Sequence, residues 1–195
     1  MVKVLAVNNY PTRERFERLL RGLEGNGADV TTIDWPASSA KKFGGFDGVV
    51  LSGSPDMLSD PRVQAKYSAE LDAIRDSSTP LLGICFGHQM IAHAFGSKVV
   101  QDRENVLRMV PTTVLSPSVL FSGMAKSLML LESRHEVVES LPEGFGLLAK
   151  SQTSEVAAMK HPTRPIFSVQ SHPERYTAEN PDGNGVLGNF VRSLR

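Results

Sequence analysis

Short apolar runs that alternate with helix-period segments over the first hundred residues predict an α/β fold, an open and mostly parallel sheet with helices on both faces. A change of pattern after Lys98, to short strand-like runs without intervening helices, adds a small irregular β-rich region in the second half. The chain has 195 residues and 41% hydrophobic content, enough for one well-packed domain and short for two, so a single domain over 1–195 is expected.

The elements follow in order. Val2 to Val7 is a valine-rich strand, and from Thr12 to about Glu24 Phe16, Leu19, Leu20 and Leu23 fall at helical spacing. Gly25, Asn26 and Gly27 stop that helix; Asp29 to Ile33 and Asp47 to Leu51 read as the second and third strands. A helix is expected from about Arg62 to Arg75. Pro80 to Ile84 is a fourth strand that runs directly into Cys85, and Gly87 to Phe95 is a helix closed by Gly96, a residue that takes positive φ without steric cost. In the second half, Val106 to Val110, Thr113 to Leu115, Leu128 to Leu131 and Glu155 to Met159 read as short strands and Pro165 to Val169 as a clearer one. The last helix begins near Asp182 and carries Leu187, Phe190, Val191 and Leu194 on one face.

Composition excludes several function classes. Lys plus Arg and Asp plus Glu are 21 each, so no excess charge draws the chain to nucleic acid or to an anionic membrane surface. The N-terminus lacks the long apolar region of a signal peptide, and no stretch approaches the roughly 18 apolar residues of a membrane span; a cytoplasmic location is expected. The single cysteine rules out an internal disulfide and fits a reducing compartment.

That cysteine lies in Gly83-Ile84-Cys85-Phe86-Gly87, between an apolar strand and a helix. A nucleophile on such a turn needs small neighbours so that the backbone can bend, and the amides of the following helix favour negative charge on its side chain. A thiol nucleophile needs a base, and the base needs a group to fix its tautomer. Ser171-His172-Pro173-Glu174, after the strand Pro165 to Val169, supplies both. The expected roles are attack by Cys85 on an amide carbon, proton shuttling by His172, and orientation of His172 by Glu174, through a thioester on Cys85. A third element, Leu51-Ser52-Gly53-Ser54-Pro55, ends another strand of the same sheet, where the amide of Gly53 and that of Phe86 could face a developing oxyanion.

Taken in this order, Ser52-Gly53-Ser54-Pro55, Gly83-Ile84-Cys85-Phe86-Gly87-His88-Gln89 and Val169-Gln170-Ser171-His172-Pro173-Glu174 resemble the class I glutamine amidotransferases over nearly the whole chain. Within that superfamily, Ser133 to Phe145 and Ala158 to His161 look most like the glutaminase part of GMP synthase, in its separate-subunit form. The resemblance implies a flavodoxin-like sheet, a Cys-His-Glu triad and glutamine held partly by Gln89. It places Ser133 among the substrate-binding residues and implies ammonia passed to an ATP-dependent synthetase partner. The family commonly has Gly-Gly-Pro where Gly53-Ser54-Pro55 stands, an aromatic residue or glycine at Ser171, and Ser-His at Ser133-Arg134. Related stand-alone hydrolases cut γ-glutamyl peptides with the same triad, and a non-catalytic binding or regulatory module is the alternative of another class.

Other signals are set aside. Gly183 to Gly188 fits G-x-G-x-x-G but follows a turn-rich segment with no second strand after it, and Gly144 to Ser151 nearly fits a phosphate loop yet reads as a strand, so no nucleotide cofactor is expected. His88 and His93 do not share a helix face, and His135 and His161 lack partners at ligand spacing, so no metal is expected. His88 is assigned a structural place behind the Cys85 turn.

Overall fold

The computed structural model describes residues 1–35 and 43–195. Nine strands form one sheet: β1 (Val2–Asn8), β2 (Ala28–Asp34), β3 (Gly48–Leu51), β4 (Leu81–Ile84), β5 (Val99–Val114), β6 (Ser127–Val138), β7 (Gly146–Ser151), β8 (Ser154–Lys160) and β9 (Ile166–Val169). The helices are α1 (Arg13–Gly25), α2 (Pro61–Lys66), α3 (Ser68–Asp76), α4 (Phe86–Ala94) and α5 (Asp182–Ser193). The strand order is β2-β1-β3-β4-β9-β8-β7-β5-β6. The pairs from β2 through β9 are parallel, and those from β9 through β6 antiparallel. The expected β-rich second half is therefore a continuation of the sheet, entered through β9.

Side chains alternate across a strand, and here each face finds its own helices. Val4, Ala6, Val50, Leu82 and Ile84 pack with Phe16, Leu19 and Leu23 of α1 and Val186, Leu187, Phe190 and Val191 of α5. Leu5, Val7, Val49, Leu51 and Leu81 pack with Leu71 and Ile74 of α3 and Met90 and Ile91 of α4. With both faces covered, β3 and β4 are buried at every residue, as parallel strands between helix layers must be.

Three elements depart from the sequence expectation. The helix expected over Arg62 to Arg75 is two helices, α2 and α3, meeting at Tyr67, whose backbone (φ −101°, ψ 11°) lies outside the helical range. The Tyr67 ring packs 5.0 Å from that of Phe86 and its hydroxyl donates to Asp56, so tertiary contacts fix the break. The runs Val106 to Val110 and Thr113 to Val114 are parts of one strand, β5, which stops one residue short of Leu115 and also includes the charged stretch Asp102 to Asn105 at a register shift against β6. β6 continues past Leu131 to Val138 because Glu132, Arg134 and Glu136, polar in sequence, occupy its buried face. Gly183 to Gly188 lies inside α5 and Gly146 to Ser151 is β7, so neither forms a phosphate-binding loop.

Candidate active site

β4 delivers Cys85 to the C-terminal edge of the sheet, and α4 begins at the next residue. Cys85 is the one non-glycine with positive φ (49°) among the described residues, a strained conformation that the packing around it imposes. Both flanking glycines are required. A Cβ on Gly83 would stand 2.5 Å from the Gly87 carbonyl oxygen, and one on Gly87 would stand 2.6 Å from the Leu51 carbonyl oxygen on β3. The turn closes against its own helix and against the neighbouring strand.

His172 and Glu174 come from the segment after β9, where Pro173–Arg175 forms a 3-10 turn. Glu174 Oε1 accepts from His172 Nδ1 at 2.7 Å, and both side chains are buried. The segment is pinned to the edge of β6, where the His172 amide donates to the Leu131 carbonyl at 2.7 Å. Cys85 Sγ and His172 Nε2 meet at one point, the Ser133 carbonyl oxygen, at 3.6 and 3.3 Å. The Ser133 residue thus takes its place through its backbone, and the edge of β6 forms one wall of the site. Burial opposes a charge on His172, but the adjacent Cys85 and Glu174 outweigh it and hold the imidazole well above its ordinary range. The arrangement suits an imidazolium between a carboxylate and a sulfur nucleophile.

Ser52-Gly53-Ser54 closes the other side. A Cβ on Gly53 would lie 2.5 Å from Tyr10 Oη and 2.9 Å from His172 Cε1, so the ring and the phenol rest directly on the bare α-carbon. Neither the Gly53 nor the Phe86 amide donates a hydrogen bond among the described residues. The cleft, about 280 Å³, is lined by Tyr10, Cys85, Gln89, Ser133, His172 and Glu174, with Arg15, Arg18 and Arg175 at its rim. Gln89 Nε2 donates to the Glu136 carbonyl at 3.0 Å, and the Glu136 carboxylate accepts from the amides of Leu58 and Ser59 at 2.6 and 3.0 Å, fixing the loop that faces Gln89.

Arg134 does not face the cleft with its side chain. Its buried guanidinium binds Glu132 at 2.9 Å and Asp102, bracing β5 against β6. His88 sits behind the turn as expected, its Nδ1 2.8 Å from Ser168 Oγ and its ring pushed down to about 3 by burial, hence neutral. Sequence reading missed Tyr10, 3.5 Å from His172 Nδ1. Its place just after β1, at the sheet edge that carries Cys85, was the available signal.

A model of the family described as Glutamine amidotransferase class-I matches residues 11–194. One of the subunits of the glutamine-hydrolyzing GMP synthase of Methanosarcina barkeri is 37% identical over 97% of this chain and 95% of its own length, and its counterpart from Thermococcus kodakarensis is 38% identical over 74% and 73%. A solved structure from Thermoplasma acidophilum superposes with a TM-score of 0.87 at 29% identity, covering 100% of this chain and 94% of that one. A glutamine amidotransferase structure from Thermotoga maritima, 18% identical over 99% and 97%, shares the fold with a TM-score of 0.80.

Proposed function

Because the chain belongs to the class I glutamine amidotransferases, we propose that it hydrolyses the side-chain amide of glutamine and delivers the ammonia to a separate ATP-dependent synthetase of the GMP synthase kind. The observation that carries this reading is the meeting of Cys85 and His172 at the Ser133 carbonyl, with Glu174 on the far side of the imidazole.

In the first half-reaction the Cys85 thiolate adds to the amide carbon of glutamine, and the amides of Gly53 and Phe86 receive the developing oxyanion. The His172 imidazolium gives its Nε2 proton to the leaving nitrogen, so the carbon–nitrogen bond breaks, ammonia departs and a γ-glutamyl thioester remains on Cys85. Neutral His172 then takes a proton from water as the oxygen attacks the thioester. The carbon–sulfur bond breaks, glutamate leaves and the thiolate–imidazolium pair is restored. Glu174 holds the imidazole in one tautomer and favours its charged form throughout. Gln89 and the edge of β6 at Ser133 hold the substrate. The Arg15, Arg18 and Arg175 rim favours a ligand that carries carboxylate, as glutamine and γ-glutamyl peptides both do.

The test assays parent and Cys85→Ala proteins for glutamate release from glutamine and from a γ-glutamyl dipeptide, each with and without a GMP synthetase partner plus its substrates. The expected outcome is glutamine hydrolysis that rises with the synthetase and falls at least about 10³-fold in Cys85→Ala. Partner-independent turnover of the dipeptide above that of glutamine would assign the chain to the stand-alone γ-glutamyl hydrolases instead.

A further inference from the structure

A carboxyl group with no role in the triad lies behind the Gly53 turn. Glu70 of α3 is fully buried, and its Oε1 accepts from Asn9 Nδ2 at 3.1 Å. Asn9 leads onward to the site. Its amide donates to Ser52 Oγ at 2.9 Å, Ser52 Oγ donates to the Gly53 carbonyl at 2.9 Å, and Gly53 carries the ring of His172 and the hydroxyl of Tyr10 on its bare face.

Two atoms of this hydrogen-bond relay lack a partner among the described residues, Glu70 Oε2 and Asn9 Oδ1, and they belong to the two groups already joined by one hydrogen bond. A buried carboxylate without a cation or a second donor is strongly disfavoured, whereas an acid proton on Oε2 serves both orphaned atoms by donating to Asn9 Oδ1. No cation pairs with Glu70 among the described residues. The titratable group that couples to Glu70 is Tyr67, whose hydroxyl donates to Asp56, a carboxylate also engaged by Lys66 Nζ. On the β1 side, Asn8 is bonded to Asp34.

Resting on the glutaminase reading, we infer that Glu70 is a positioning residue: as a neutral acid in a two-hydrogen-bond ring with Asn9, it holds the Ser52-Gly53 turn in register for the oxyanion. Burial pushes its carboxyl up to about 8, in keeping with that form near neutral pH. The folded protein keeps a proton that the unfolded chain releases above the ordinary carboxylate range. The stabilisation is therefore complete at acid pH and is lost as the pH rises through about 8. Ionisation leaves Asn9 Oδ1 without its donor and places a charge in an apolar enclosure, so the turn loosens.

Glutamine replaces this group with one that cannot ionise yet offers the same donor and acceptor to Asn9, whereas leucine offers neither. Parent, Glu70→Gln and Glu70→Leu are assayed for glutamine hydrolysis with the synthetase partner from about pH 6 to about pH 10, and for hydrogen exchange at the Asn9 amide without substrate. In the parent, kcat should fall roughly tenfold across the ionisation with KM little changed, and Asn9 exchange, corrected for its intrinsic pH dependence, should rise with it as the bond to Ser52 Oγ opens. The glutamine variant should show neither change, and the leucine variant should have the lower kcat and faster exchange at every pH. Identical profiles for parent and glutamine variant in both measurements would overturn the inference. A parent that leaves glutamine untouched would strike the glutaminase reading alone, because exchange still reports on Glu70 and Asn9.

Discussion

The two halves of the sheet solve different problems. From β2 to β9 the strands are parallel and short, and β3 and β4 are buried on both faces, so their ends can be fixed tightly enough to hold a strained cysteine. From β8 to β6 the strands are antiparallel, β5 and β6 are long, and in β6 buried residues alternate with partly or fully exposed ones. The groups to which we assign the chemistry come from the first half or the segment that follows β9, while the second half contributes a strand edge, the carbonyls of Leu131 and Ser133. A rigid parallel core aims the chemistry and an antiparallel ribbon closes it. The site lies at their seam.

The sharpest way to break this division is to unbrace the ribbon and leave the core alone. Arg134 is buried with Glu132 and pairs with the half-buried Asp102, and replacing it by methionine leaves two carboxylates without their cation. A loss of about 3–5 kcal/mol in stability is expected, read as a fall in urea midpoint. Adding Glu132→Gln and Asp102→Asn to Arg134→Met should recover much of that loss, because no uncompensated charge then remains. If Arg134→Met unfolded at the parental midpoint, the brace would have no energetic weight.

The core is tested where it touches the site. Gly53→Ala introduces a methyl 2.5 Å from Tyr10 Oη and 2.9 Å from His172 Cε1, so the turn, the phenol or the imidazole must move. We expect kcat for glutamine to fall roughly 10²-fold, in the range of losing an oxyanion donor, with little change in the unfolding midpoint. Tyr10→Phe removes the closest of the clashing atoms, and combined with Gly53→Ala it should restore part of kcat. A double variant no faster than Gly53→Ala would locate the damage in the His172 contact instead.

The same division explains what could be read from the sequence. β3 and β4 were legible because burial on both faces leaves unbroken apolar runs, and Cys85, His172 and Glu174 because each sits in a short motif whose chemistry constrains its neighbours. β5 and β6 were read only in fragments. Asp102 to Asn105 look like a loop until Arg134 and His135, some thirty positions away, are seen to bind Asp102 and Asn105. Glu132 and Arg134 look exposed until they are seen to neutralise each other. Tyr67 interrupts a segment whose apolar spacing reads as one helix, held there by Phe86 and Asp56. Tyr10 and Glu70 carry no motif at all, because their partners His172 and Asn9 are 162 and 61 residues distant. Local pattern reports burial and turn chemistry, and polar networks between distant segments leave little local trace.

The smallest expected effect is a control on the brace. Lys150 and Glu155, on β7 and β8 of the same antiparallel half, form an ion pair at 2.5 Å, closer than the 2.9 Å contact of Arg134 with Glu132, but their side chains are 45% and 80% exposed. Water screens both charges before and after folding, and holding two long side chains in one geometry opposes the small Coulomb gain. Lys150→Ala should therefore shift stability by less than about 0.5 kcal/mol and leave glutamine hydrolysis at the parental rate. Measured beside Arg134→Met in the same urea titration, it separates proximity from burial. A loss comparable to that of Arg134→Met would mean that the ribbon is held by its surface charges rather than by its buried ones.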